Sequence, residues 1–357
     1  MILLLLLWGT SLWLGSITES PVVRVTAQPQ SIYIEQGTFA QLLNFDLIVE
    51  NLSDKPLVLK SIEVSVFDQK DELILRRFVD DNGSRPSIQT VGNRELGSRQ
   101  IVLVFNPFYE FSSQVDLHKM RYEVLFSDHE KQEYKAEVVI FPVVYMTKTD
   151  LALPVKDRMI VYDGHDFYAH HRRFDYQLPA LQQLGFRSNF MRYSYDFVPV
   201  NKAGEMFKGR EEDNANWFGF GVDLYAAGSG RVVAVVDSHA DNRSFDMAAL
   251  ATNRMELFGN YLVIDHLNGE YSLYGHIKQG SSKVRVGEQV KQGQVIAQMG
   301  ASGSSKFPHL HYELQTGADT SAEGLPSYFK QFRRILGSRS IEIKKGQVDT
   351  GDILESK

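Results

Sequence analysis

The stretch Phe307–Gln315, FPHLHYELQ, sets two histidines one residue apart in a chain that holds ten. On a β-strand, side chains at i and i+2 share a face, about 6.6 Å apart along the chain. His309 and His311 would then project together, with Leu310 and Tyr312 turned the other way. That spacing suits one metal ligand beside one free acid or base. A catalytic zinc site needs three protein ligands and a fourth position open to water. The chain has no cysteine, so such ligands must be histidine or carboxylate. The same absence excludes a disulfide framework and a cysteine nucleophile.

A third histidine, His276, follows the strand-like Tyr271–Tyr274, and two glycine-rich loops, VGEQVKQGQ and GASGSS, separate it from the pair. Four motifs thus run in order: Tyr274-Gly275-His276, the loop from Val284 to Gln294, the loop from Gly300 to Gly303, and His309 to Glu313. Together they resemble the lysostaphin/LytM-type zinc endopeptidases, over a region from Tyr162 to Phe332. The resemblance implies that His311 is a zinc ligand and that His309 and His276 are the acid/base and transition-state groups. Proton transfer is assigned mainly to His309 and oxyanion support mainly to His276, although the sequence does not separate the two. Gly303 and Ser304 suit a tight loop that keeps a groove open to a bulky substrate. With Tyr274 they are the candidate substrate-binding residues; a plain hairpin connection and core packing are the alternative roles.

The other two ligands of the family come as His-x-x-x-Asp on an earlier strand. Asp223, in GFGVD, stands too close to Tyr225 for the usual intervening loop, and four residues before it is Gly219, which cannot ligate. Asp196, in MRYSYDFVPVN, is the better candidate. Four residues before it stands Arg192 rather than histidine. The missing imidazole has a donor in GHDFYAHHRRFDY, since family members with a similar R-Y-x-x-D-F strand carry a His-His pair upstream. The first ligand is therefore His170 or His171, with His171 slightly preferred. His165 is read as supporting or structural, His266 and His239 as surface and loop residues, and His118 and His129 as solvated.

These residues need elements to position them. Residues 155–335 are rich in short apolar runs and glycines, among them GRVVAVVD, NYLVIDH and EYSLYGHI, and read as strands. LPALQQLG (Leu178–Gly185) reads as a helix, GLPSYFKQFRRILG as a second short helix, and IEIKKGQ as a final strand leading into a tail over 336–357. Residues 21–146 alternate apolar and polar between turn-rich stretches such as DDNGSRPS, the pattern of an antiparallel, Ig-like β-sandwich. TKTDLALP, within 147–154, reads as a linker. The fold class expected is all-β and mainly antiparallel, with a LytM-type peptidase domain following the sandwich. A hydrophobic content of 43 % supplies ample core, and a net charge of −6 without a long basic run gives a nucleic-acid partner no electrostatic support. Residues 1–20 carry an apolar run, Leu3–Leu14, of signal-peptide length and short for a membrane span. They read as an export signal, with an uncleaved membrane anchor as the alternative.

The resemblance implies a Zn2+-dependent hydrolase, exported to the periplasm, envelope or exterior, cutting peptide bonds of peptidoglycan. Arg192 in the place of a histidine keeps a second expectation open: an inactive domain of the same fold that regulates or binds other wall hydrolases.

Overall fold

The computed structural model describes residues 21–37 and 40–356. The apolar start lies outside them. Among the described residues no helix is long and apolar enough to cross a membrane.

The N-terminal half is built of sheets. Val23–Gln28, Asp46–Asn51 and Ile101–Phe105 form one; Glu133–Ile140, Lys119–Ser127, Leu57–Phe67 and Leu73–Val79 form a second, all antiparallel. Every second residue of Lys119–Ser127 is buried, as a strand with one wet face requires. The inward residues of both sheets, Leu47 and Val49 with Val64, Val66, Tyr122 and Val124, share one core.

The C-terminal half centres on a twelve-stranded sheet. Its middle strands lie in the order Met159–Asp163, Tyr195–Pro199, Leu310–Gln315, Tyr271–Gly275, Tyr261–Asp265 and Gly230–Val236, each antiparallel to the next. One face buries Phe197, Tyr195, Tyr274, Leu310, Tyr312 and Leu314. The opposite face carries Leu273 and Val263 against Phe186, Phe190 and Phe258. Burial of an apolar side chain of this size is worth about 1.5–3 kcal/mol, so the floor under the candidate site is packed on both sides. The stretch 147–154 joins this sheet: Leu151–Ala152 pairs in parallel with Phe329–Leu336, and Leu151 and Leu153 enter the core.

The helix expected at Leu178–Gly185 is present as Pro179–Gln183. The one expected in GLPSYFKQFRRILG is not. Gly324–Leu325 and Phe329–Leu336 are strands, the second paired with Arg339–Gly346 on one side and Ile353–Ser356 on the other. Phe329 and Phe332 are both fully buried, three residues apart as on a helix face, and a left-handed backbone at Gln331 (φ 53°) permits this on a strand.

Candidate metal centre and active site

Strand register brings the first residues together. Asp196 on Tyr195–Pro199 sits opposite His311 on Leu310–Gln315, and His311 sits opposite Gly275 on the other side. The period of two puts His311 and Glu313 on one face, while Leu310, Tyr312 and Leu314 supply the core on the other. Gly275 leaves the room this needs. A Cβ there would lie 3.0 Å from Phe258 and 3.3 Å from the His311 Cβ.

His276 ends its strand in a left-handed conformation, φ 60°. Such a backbone costs of order 1–3 kcal/mol for a non-glycine residue. It is held by the bond from its N–H to the Phe258 carbonyl and by the Gly300 N–H donated to its own carbonyl, each 3.0 Å. The turn aims the imidazole at the neighbouring strand, and the His276 and His309 ring centres are 4.7 Å apart. His171 comes from a turn-rich segment before the first helix. Its carbonyl accepts from Asn189 Nδ2 at 2.9 Å.

The donor atoms converge. His171 Nε2 is 3.4 Å and His311 Nδ1 3.2 Å from the same oxygen, Asp196 Oδ1, and His309 Nε2 is 3.4 Å from it. His171, Asp196 and His311 each offer one ligand atom, all within 4.8 Å of one another. Zinc bonds of about 2.0–2.1 Å at tetrahedral angles place ligand atoms roughly 3.3–3.4 Å apart, which matches these separations.

The outward nitrogens fix which lone pairs face inward. A carbonyl oxygen can only accept, so His171 Nδ1, 3.2 Å from the Gly164 carbonyl, carries the proton and leaves Nε2 bare. His309 Nδ1 donates likewise to the Phe307 carbonyl at 2.8 Å, and His276 Nδ1 to the Ser302 carbonyl at 2.7 Å. His311 Nε2 lies 2.7 Å from Glu313 Oε1, a carboxylate behind a ligating imidazole. Bare nitrogens and a carboxylate oxygen facing one another need a cation between them, so the residues present fit a zinc ion.

Electrostatics agree. Burial holds His171 and His276 well below the ordinary histidine value, which keeps both neutral. Burial works to raise Asp196, but the surrounding imidazoles, among them the protonated His311 that donates to it, outweigh this and keep the carboxyl well below the usual range. Burial also opposes a charge on His311, yet Asp196 and Glu313 on either side push it up to about 9. In the metal-free chain a proton on His311 thus supplies the positive charge.

Of the two adjacent histidines, His171 is buried at the centre and His170 is exposed, its Nδ1 2.8 Å from Asp163 Oδ2. His165 bonds Glu35 Oε2 of the N-terminal half at 2.8 Å. Asp223 stands apart, 3.2 Å from Gln298 Nε2. Several expectations need correction. His266 is buried rather than on the surface, because it bridges the Ser229 carbonyl (2.9 Å) and the Ser272 hydroxyl (2.7 Å). Tyr274 is fully buried, and its hydroxyl accepts from Ala227 N–H at 2.6 Å, so it packs the core and does not face substrate. Gly303 interlocks with Gly259, since a Cβ on it would lie 2.3 Å from the Gly259 nitrogen, and the two line a shallow cavity with His239 and Glu256. Ser304 is exposed. His276, assigned oxyanion support, presents a bare Nε2 and can donate there only after taking up a proton. Glu313 was not singled out from sequence, although its place two residues after His311 on the same strand face carries the signal.

Comparison with known proteins follows this geometry. The model of peptidase family M23 matches residues 219–322, which include His276, His309 and His311 but neither His171 nor Asp196. Cell division protein DipM of Caulobacter vibrioides is 36 % identical over 67 residues, 19 % of this chain and 11 % of that protein. Peptidoglycan DD-endopeptidase ShyC of Vibrio cholerae is 36 % identical over 94 residues, 26 % of this chain and 17 % of that protein. Murein hydrolase activator EnvC of Escherichia coli is 37 % identical over 76 residues, 20 % of this chain and 18 % of that protein. The chain thus spans less than a fifth of the length of these relatives. The matched strands and loops of residues 219–322, with their three histidines, are a peptidase family M23 domain.

Proposed function

We propose that this chain is an exported zinc-dependent endopeptidase that hydrolyses peptide bonds of bacterial peptidoglycan. The observation that carries the reading is the convergence of His171 Nε2, Asp196 Oδ1 and His311 Nδ1, with the imidazoles of His309 and His276 beside them. His171, Asp196 and His311 would hold the ion. When bound, zinc supplies Lewis acidity and brings the pKa of water at its open position from about 15.7 toward 7.

The chain's own groups handle the protons. His309, its Nδ1–H tied to Phe307, offers Nε2 as the acceptor from the attacking water. As an imidazolium it then donates to the leaving amine. Neutral His276 is a second acceptor, and once protonated it donates to the developing oxyanion. Glu313 and the Gly164 carbonyl keep the ligating rings turned inward. Peptidoglycan as the substrate is supported by the likeness to ShyC, a peptidoglycan DD-endopeptidase, and export by the apolar run Leu3–Leu14.

The regulator reading drew on Arg192 in the place of a histidine. His171, 3.4 Å from Asp196, supports the enzyme reading by offering another imidazole, while the likeness to the activator EnvC supports the regulator. The test is digestion of isolated peptidoglycan with analysis of released muropeptides, beside zinc content per chain. The expected result is one zinc and new free amino termini, both lost in His311→Ala. Absence of zinc together with intact peptidoglycan would refute the proposal in favour of the regulator.

A further inference from the structure

His171 is the candidate ligand that does not lie on the sheet, so its position depends on what holds its segment. The residue after it, Arg172, is 1 % exposed, and its Nη1 lies 2.5 Å from Asp46 Oδ1 of the N-terminal half. Its Nη2 donates to the Phe45 carbonyl at 2.6 Å. Arg192, four residues before Asp196, is equally buried, and its Nη2 lies 2.8 Å from the other oxygen, Asp46 Oδ2. Two residues before Asp46, in the connection leading into its strand, Asn44 Nδ2 donates to the Arg192 carbonyl at 2.6 Å. One carboxylate, itself fully buried, therefore grips both segments that bring the first two ligands.

We propose that Asp46 is a positioning residue for the metal site, tying the His171 segment to the Asp196 strand from the neighbouring domain. This rests on the zinc reading above. Guanidinium groups stay charged at any ordinary pH. Both are buried beside this one carboxylate, with Glu323 also acting on Arg192, and a buried charge that loses its partner is strongly unfavourable. Asp46 opens the middle strand of a three-stranded sheet, paired with Gln28 on one side and Phe105 on the other, so the anchor is rigid. The arginine standing where the family has its histidine is thus used as a clamp, and the ligand comes from the residue next to the second clamp.

The test is zinc affinity by chelator competition in the full chain carrying Asp46→Asn. The control is Glu35→Gln, which loosens the Glu35–His165 contact at the same domain boundary. The expected result is zinc binding weakened about 10–100-fold in D46N, the usual range for residues that orient ligands, and changed less than about threefold in E35Q. Equal zinc affinity in D46N and the parent overturns the proposal, as does an equal loss in both variants. Should D46N fail to fold, the parent supplies the measurement. Coupling is reciprocal, so zinc must slow amide exchange in the strand Asp46–Asn51. Unchanged exchange there at zinc saturation overturns the proposal. A parent chain that binds no zinc removes the metal-site reading along with it, whereas zinc bound without coupling removes this inference alone.

Discussion

The sharpest prediction concerns two neighbours, His170 and His171, exchanged singly for alanine. His171 offers Nε2 to the centre, 3.4 Å from Asp196 Oδ1, and is fully enclosed. Zinc held by four protein ligands is worth about 10–16 kcal/mol, or roughly 2.5–4 kcal/mol per ligand. Removing one should weaken binding by about 70- to 900-fold. His170 is exposed and contacts Asp163, and an exposed ion pair is worth about 0.2–1 kcal/mol. His170→Ala should therefore change zinc affinity by less than about fivefold. The assay is a competitive titration against a chromophoric chelator, starting from metal-free protein at neutral pH. Thermal melts of the metal-free variants measure any loss of packing separately. Zinc at about 100 times its Kd should add about 2.7 kcal/mol to the parent, and at that same concentration add almost nothing to His171→Ala. A His171→Ala chain that binds zinc within fivefold of the parent would refute the ligand assignment, and so would a larger loss in His170→Ala.

Three further outcomes are expected. Glu313→Gln replaces the acceptor behind His311 Nε2 and should weaken zinc about 10–100-fold with little change in fold; unchanged affinity by the same titration would contradict that role. Tyr274→Phe frees the Ala227 N–H and should cost about 1–2 kcal/mol in urea unfolding while leaving KM for peptidoglycan fragments unaltered; a raised KM with parental stability would restore Tyr274 to the substrate. Glu270 accepts from the Tyr145 hydroxyl (2.7 Å) and the N–H groups of Lys148 (2.9 Å) and Thr149 (2.7 Å), pinning the chain between the two halves. Burial works to raise its carboxyl, but these donors outweigh it and hold it below the ordinary value. A folded value below the unfolded one means that its stabilisation is present above the unfolded pKa of about 4.3 and lost as pH falls through the folded value. Glu270→Gln should cost about 1–3 kcal/mol at neutral pH and flatten the decline in urea midpoint from about pH 5 to pH 3; equal slopes in parent and variant would exclude this linkage.

The shared face of His309, His311 and Glu313 follows from strand geometry alone, because a period of two is a local property and needs no knowledge of neighbours. The alternating runs likewise carry the all-β character, and strand composition singles out Asp196 over Asp223. Local pattern misleads where the backbone departs from its usual region. Phe329 and Phe332 imitate a helix face because Gln331 turns left-handed within a strand. Other features are properties of contact between distant segments. Nothing near His170 and His171 distinguishes the two; the turn that buries one and exposes the other is set by Asn189 and Asp46, far along the chain. Arg192 looks like a lost ligand in the sequence and is a buried ion-pair partner in the fold. Tyr274 sits beside the chemistry in sequence and packs away from it in space. Residue types and spacing determined which ligating and proton-accepting groups this chain offers. Tertiary packing decided which side chains reach the site, because burial and long-range pairing choose among residues that local sequence leaves equivalent.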